Sequence, residues 1–347
     1  MITDCLILYV RLWTNMKKIF ENQNNKITFL EEIDFIEKMD NIVRPILEKN
    51  CSCGYFHSFD GAEIFYKYYH NPREKAAVVI SHGFCEFTEK FEEVIFYFFQ
   101  AGYSVYIHDH RGHGYSKRML NDKNKVYIHS FDEYVLDLYS FIRQIVLKDG
   151  THNKTVLYAH SMGGAIAALF LEQYPDIFSH AILTSPMLEI ELGKTPEAIA
   201  YLVMLFKKLT GSEEEYVKGH GAFDGVPCFK SSSCLSEARY DYIFAKRVRD
   251  ENFRTYGASC AWLLAGLRAV RKLQKHAGRV LIPVLIFQAG RDTTVRPGGQ
   301  KRFADRSKNT KLVMMPDSKH EIYNANFEIR KEYYQNIFSF IEENPNL

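Results

Sequence analysis

Seven consecutive residues, Tyr158-Ala159-His160-Ser161-Met162-Gly163-Gly164, sit between an apolar run and a helix-favouring run. A serine hydroxyl is a poor nucleophile and works only when exposed beside a base. A tight strand-to-helix turn would lift Ser161 above a sheet, and Gly163 would let that turn close. The N–H of Met162 would then face a developing oxyanion from a helix N-terminus. The pattern is G-x-S-x-G with Ala159 in the first place. A helix N-cap serine is the bland alternative. Ile80-Ser81-His82-Gly83-Phe84 follows another buried run. His82 and Gly83 would set a loop in which the Phe84 N–H is the second oxyanion donor, and Gly83 permits close backbone approach. For a serine on such a turn the partners follow as acid, then histidine. Asp292, in Ala289-Gly290-Arg291-Asp292, is the candidate acid. His320, in Pro316-Asp317-Ser318-Lys319-His320, is the candidate base, 28 residues later. Asp317 is the rival acid, but it lies too close to His320 in sequence. His320 would take the Ser161 proton and return it to the leaving group, with Asp292 orienting the imidazole.

Other suggestive residues carry plainer readings. His160 would pack within the turn. His108, His110 and His113 cluster around Asp109 and Arg111. A metal site is one reading. A fixed loop, Arg111-Gly112-His113-Gly114, with Arg111 holding backbone carbonyls, explains the segment better. Cys51 and Cys53 read as two reduced thiols at a strand start rather than a zinc site. No metal is expected.

These residues need elements to hold them. Asp60-Gly61 between two apolar-aromatic runs predicts a hairpin. Strand-like runs at Ala76–Ile80, Tyr103–Ile107, Thr155–Tyr158 and His180–Leu183 alternate with helical stretches at Phe91–Gln100, about Phe131–Leu147 and Met162–Tyr174. Continuous apolar strands separated by helices predict an α/β fold, with a mostly parallel sheet and helices on both faces. The alternation stops near Glu189 and resumes near Val280. Ile199, Leu202, Val203, Leu205 and Phe206 share one broad helical face inside that gap. Two more buried runs, Leu281–Gln288 and Leu312–Met315, and a helix over about 327–343 close the chain. The predicted organisation is an N-terminal extension (1–50), a core (51–188), a helical insert after the sixth strand (189–278) and the rest of the core (279–347). Residues 17–50 read as a loosely packed lead-in.

The chain has 347 residues, 44 Lys plus Arg against 42 Asp plus Glu, and is 46% hydrophobic. Such a balance gives no electrostatic reason for nucleic-acid binding, and the composition excludes intrinsic disorder and a multi-span membrane protein. Seven cysteines, an odd number, fit a reducing cytosol better than a disulfide scaffold. The apolar stretch Cys5–Trp13 is too short to span a bilayer and lacks the order of a signal peptide. Met16 is an alternative start, and contact with a membrane surface stays open. Oligomeric state is not set by any of these features.

Together, His82-Gly83-Phe84-Cys85-Glu86, Asp109-His110-Arg111-Gly112-His113-Gly114-Tyr115-Ser116, Ala159-His160-Ser161-Met162-Gly163-Gly164, Gly290-Arg291-Asp292 and Ser318-Lys319-His320-Glu321 resemble the α/β-hydrolase fold. More narrowly, they resemble the lysophospholipase and monoacylglycerol-lipase-like group, with a serine aminopeptidase S33 type domain. The resemblance covers about residues 51–345, and Glu237-Ala238-Arg239-Tyr240 resembles the lysophospholipase branch less specifically. It implies ester hydrolysis through an acyl-enzyme on Ser161, a helical cap over the site, no cofactor, and a small single-acyl-chain lipid ester as substrate. A short-chain carboxylesterase, thioesterase or aminopeptidase of the same fold is the alternative. A non-catalytic binding protein on this fold is a different class, and an intact triad argues against it.

Overall fold

The apolar runs pair side by side. A computed structural model describes residues 27–148, 152 and 154–343. The main sheet contains β1 (Cys51–His57), β2 (Glu63–Tyr69), β3 (Ala76–Ser81), β4 (Tyr103–His108), β6 (Thr155–His160), β7 (His180–Thr184), β9 (Val284–Ala289) and β10 (Thr310–Met315). Their spatial order is β1-β2-β4-β3-β6-β7-β9-β10. The hairpin β1–β2 is antiparallel, and β2 meets β4 antiparallel. Every later pairing is parallel. Strands β3, β4, β6, β7 and β9 are buried along their whole length, as strands covered on both faces must be. The hairpin turns at Gly61, where φ is +79°.

One face carries α1 (Glu92–Gln100) and α8 (Phe327–Glu343). The other carries α2 (Phe131–Phe141), α3 (Met162–Gln173) and α7 (Pro297–Arg306). Ser130 caps α2, and its own N–H donates back to the Glu133 carboxylate (3.1 Å), a capping box. Between β7 and β9, after the sixth strand of the main sheet, the chain leaves to form α4 (Glu197–Leu209), α5 (Glu237–Arg249) and α6 (Cys260–His276). A two-residue parallel pair, β5 (Lys125–Val126) with β8 (Gly257–Ala258), ties this insert to a core loop.

The start of the described chain is not a loose lead-in. Leu30, Phe35, Met39, Val43, Ile46 and Leu47 are buried in the same core as α1 and α8. The Leu30 carbonyl accepts from Arg239 (3.2 Å) and Arg330 (2.6 Å), and its N–H donates to the Tyr97 hydroxyl (2.9 Å). The polar residues that made this segment look loose alternate with those that anchor it. The stretch Cys5–Trp13, the alternative start at Met16 and residues 17–26 lie outside the described residues.

Candidate active site

The chemistry gathers where the parallel strands end. Strand β6 delivers Ser161 at φ 51° and ψ −116°, and α3 begins at the next residue. A non-glycine residue in that region is strained and persists only if its surroundings fix it. The Ser161 N–H donates to the Thr184 carbonyl (3.1 Å), and its own carbonyl accepts from Gly164 (2.9 Å) and Met187 (2.9 Å). Gly163 packs against the backbone carbonyls of Ser81 and His82, leaving no room for a Cβ. At Gly164 a Cβ would lie 2.5 Å from that of Pro186. Ala159 is buried within β6, so its extra methyl is accommodated and the turn forms.

Asp292 and His320 come from the loops after β9 and β10. These loops are joined by bonds from the Gly290 N–H to the Met315 carbonyl and from the Arg291 N–H to the Ser318 carbonyl, both 2.9 Å. Because Asp292 Oδ2 can only accept, His320 Nδ1 donates to it (2.7 Å). Nε2 is then free to accept the Ser161 hydroxyl (2.8 Å). Asp292 Oδ1 accepts from the N–H groups of Thr294 (2.8 Å) and Val295 (3.1 Å). Burial opposes ionisation of Asp292, but His320 and these two N–H groups hold its pKa below the usual carboxylate value. Asp317 is exposed and takes no part.

The Phe84 N–H lies in the turn Gly83–Glu86, and among the described residues no backbone carbonyl takes it. The Met162 N–H is the first open donor of α3. His82 fastens the turn: its Nδ1 donates to the Gly83 carbonyl (2.8 Å) while its Nε2 accepts the His110 N–H (3.0 Å). His160 is buried, with Nδ1 donating to the Thr184 carbonyl (3.2 Å), and burial lowers its pKa to about 4.

Arg111 corrects the sequence reading. It holds carboxylates, not backbone carbonyls. Its Nε and Nη2 donate to Asp137 (2.6 and 2.5 Å), and its Nη1 donates to Asp60 (2.9 Å) and Glu133 (3.1 Å). The histidines beside it are buried, and burial lowers the pKa of His108 to about 3 and those of His110 and His113 well below the ordinary value. Among the described residues no group of His, Cys, Asp or Glu is arranged to hold a metal ion.

Sequence reasoning assigned no role to Glu86 and Lys90, which are buried beneath the turn. Glu86 accepts from the Gly83 N–H (2.5 Å), the Tyr323 hydroxyl (2.6 Å) and Lys90 (2.8 Å), and Lys90 also meets Glu321 (2.8 Å). Burial opposes the charge on Glu86, but Lys90 and the neighbouring groups keep its pKa well below normal. Their partners Tyr323 and Glu321 lie 237 and 231 positions away in sequence, so no local pattern marked the pair.

A cavity of about 480 Å³ opens onto Ser161 and Phe84. Apolar residues, among them Met187, Ile190, Met204, Val217, Trp262 and Val295, form most of its wall, while Glu191, Lys218, His220 and Thr294 add polar groups.

Residues 72–326 match the family described as Serine aminopeptidase, S33. The chain belongs to that family. It is 26% identical over 264 residues to a probable lysophospholipase L2 of Haemophilus influenzae, covering 76% of this chain and 83% of the relative. It is 31% identical over 229 residues to lysophospholipase L2 of Escherichia coli K12, covering 66% and 67%. The structure of a Paleococcus ferrophilus monoacylglycerol lipase superposes with a TM-score of 0.62 at 22% identity, covering 81% of this chain and 99% of that one. The fold is therefore that of the α/β hydrolases, and at family level this is a carboxylic ester hydrolase.

Proposed function

We propose that this serine hydrolase cleaves single-acyl-chain lipid esters, lysophospholipids or monoacylglycerols, through an acyl-enzyme on Ser161. The observation that carries the reading is the bonded series Asp292–His320–Ser161, which opens onto a mainly apolar cavity. In this reading His320 Nε2 takes the hydroxyl proton as Ser161 Oγ attacks the ester carbonyl carbon. The N–H groups of Phe84 and Met162 receive the oxyanion, and His320 returns the proton to the departing alcohol. Water then attacks the acyl-enzyme by the same route. A volume of about 480 Å³ falls in the ~300–1,000 Å³ range of small-molecule sites, and its apolar wall suits one acyl chain. The relatives named for lysophospholipids and the structural neighbour named for monoacylglycerols support this substrate class. An aminopeptidase would need acids facing the site. Glu213 instead accepts from Tyr127, Glu215 pairs with Lys207, and Glu191, which does line the cavity, pairs with Arg296.

Residues 189–278 act as the cap in this proposal, and α4 is its contact with a lipid surface. Ile199, Leu202, Phe206 and Leu209 are 50%, 59%, 65% and 77% exposed along one side of α4, an apolar stripe that a bilayer interface would cover. Among the described residues no helix is long and apolar enough to cross a membrane. All six described cysteines are free, which supports a reducing compartment on the cytoplasmic side.

The decisive experiment is turnover of lysophosphatidylcholine, monoolein, p-nitrophenyl esters of graded length and aminoacyl-anilides. We expect long single-chain esters to be preferred and Ser161→Ala to lose ester turnover while folding normally. Preference for anilides, or persistent activity in Ser161→Ala, refutes the reading. For the surface, Leu202→Glu with Phe206→Glu should cut binding to phosphatidylcholine vesicles carrying monoolein while leaving p-nitrophenyl butyrate turnover within about twofold. Unchanged vesicle binding rejects α4 as the contact.

A further inference from the structure

The turn that presents the Phe84 N–H is held from two sides. On the core side, His82 takes the Gly83 carbonyl and Glu86 takes the Gly83 N–H. The other side belongs to the insert. Arg247, near the end of α5, reaches across 162 positions of sequence and donates through Nη2 to the Cys85 carbonyl (2.5 Å). Its Nη1 donates to the carbonyls of Phe253 (3.2 Å) and Thr255 (3.0 Å). Its guanidinium also lies over the Phe87 ring at 5.5 Å, and Phe87 stacks on Phe253 with centroids 4.1 Å apart. Three carbonyls and a ring therefore share one planar cation, an arrangement that a fork of fixed donors suits.

Cys85 is the residue that needs the help. It is a buried non-glycine at φ +57°, in a region an L-residue occupies only when its surroundings enforce it. Phe84 precedes it, so relaxation at Cys85 would turn the Phe84 N–H away from the oxyanion. We propose that Arg247 is a positioning residue for the oxyanion donor: the cap, through this guanidinium, holds the Phe84–Cys85 turn in its donating conformation. The cap thus stabilises the transition state as well as enclosing the acyl chain. This inference rests on the Ser161 reading above and adds the residue that couples the insert to the hole.

A donor displaced only at the transition state lowers kcat and spares KM. Deleting an oxyanion donor outright costs ~10²–10³ in kcat, so loss of its support should cost about 10–100-fold. The test uses p-nitrophenyl butyrate, whose short chain makes little use of the cavity. Arg247→Ala and Arg247→Gln should lower kcat by that factor with KM within about threefold. Affinity for an alkylboronic acid, which forms a tetrahedral adduct on the serine, should weaken by the same factor. Added methylguanidinium should restore part of the activity of Arg247→Ala. Should Arg247→Ala be insoluble, Arg247→Gln is read alone, because its amide keeps one donor and part of the packing on Phe87. Unchanged kcat, or a loss confined to KM with boronate affinity intact, overturns the proposal. An inactive wild-type enzyme, or an active Ser161→Ala, would instead overturn the reading of the site itself.

Discussion

Replacing Arg111 by Met removes a guanidinium with no solvent exposure that faces three carboxylates. The three are affected unequally. The Asp60 side chain is 37% exposed and Glu133 is 16% exposed, so both can turn toward water. Asp137 is fully buried and, among the described residues, keeps the Ser58 hydroxyl as its remaining side-chain partner. Leaving one member of a buried ion pair behind costs about 3–5 kcal/mol. That is a large part of the ~5–15 kcal/mol that stabilises a typical domain. At about 2–4 °C per kcal/mol for a large domain, the melting temperature should fall by roughly 6–20 °C. The sign with pH is distinctive. Burial already raises the Asp137 pKa against the pull of Arg111, and without Arg111 it rises further. The folded variant then binds a proton that the unfolded chain releases, so its deficit is largest at neutral pH and shrinks as pH falls through the folded pKa. Urea unfolding at pH 7.5 and 5.5 measures this. Arg111→Met with Asp137→Leu should recover most of the loss, because a buried pair replaced by apolar groups is often neutral. A single-variant cost below about 1 kcal/mol, or no recovery in the double variant, would refute the reasoning.

His160 should make the protein acid-sensitive. It stays neutral down to about pH 4 in the fold, whereas an unfolded histidine protonates near pH 6.5. Wild type should therefore lose about 2 kcal/mol relative to His160→Gln between pH 7.5 and 5; a constant difference between their urea midpoints contradicts this. Gly164→Ala places a methyl against Pro186 and should cost about 1–3 kcal/mol by overpacking. A calorimetric melt equal to wild type would show that the turn can give way.

The bonded series Asp292–His320–Ser161 was legible because each member follows a strand of the parallel sheet within a few residues, so local order sufficed. The same holds for the parallel sheet, whose inner strands are mainly apolar and fully buried, whereas the edge strand β10 is partly exposed. Contacts between distant residues were not legible. Arg111 meets Asp60 and Asp137 from 51 and 26 positions away, and nothing local distinguishes those acids from solvated ones. Arg247 of the insert meets Cys85 of the core from 162 positions away, and escaped notice for the same reason. The period of α4 revealed an apolar face but not what covers it: Ala200, Val203 and Met204 line the cavity, while Leu202 and Phe206 face outward. In the N-terminal segment, burial depends on Arg239 and Arg330 finding the Leu30 carbonyl, a long-range event.

The insert leaves the sheet from β7 and returns on β9, and these strands are direct neighbours, with Ala181 opposite Val284. The pairing is parallel, so the exit after Thr184 and the re-entry at Val284 lie at opposite ends of the pair, three residues or about 10 Å apart along the strands. A replacement module must therefore keep a segment that runs back along the sheet, as α6 does, while added length elsewhere would cost little, because closure entropy grows only slowly with loop size. Exchange is also constrained where the insert grips the core, as at the β5–β8 pair, Arg239 with Glu93, Lys246 with Glu92, and Arg247 with the Cys85 carbonyl. A chimera that imports a foreign insert must reproduce these grips, or it acquires a new pocket at the expense of the turn beneath it.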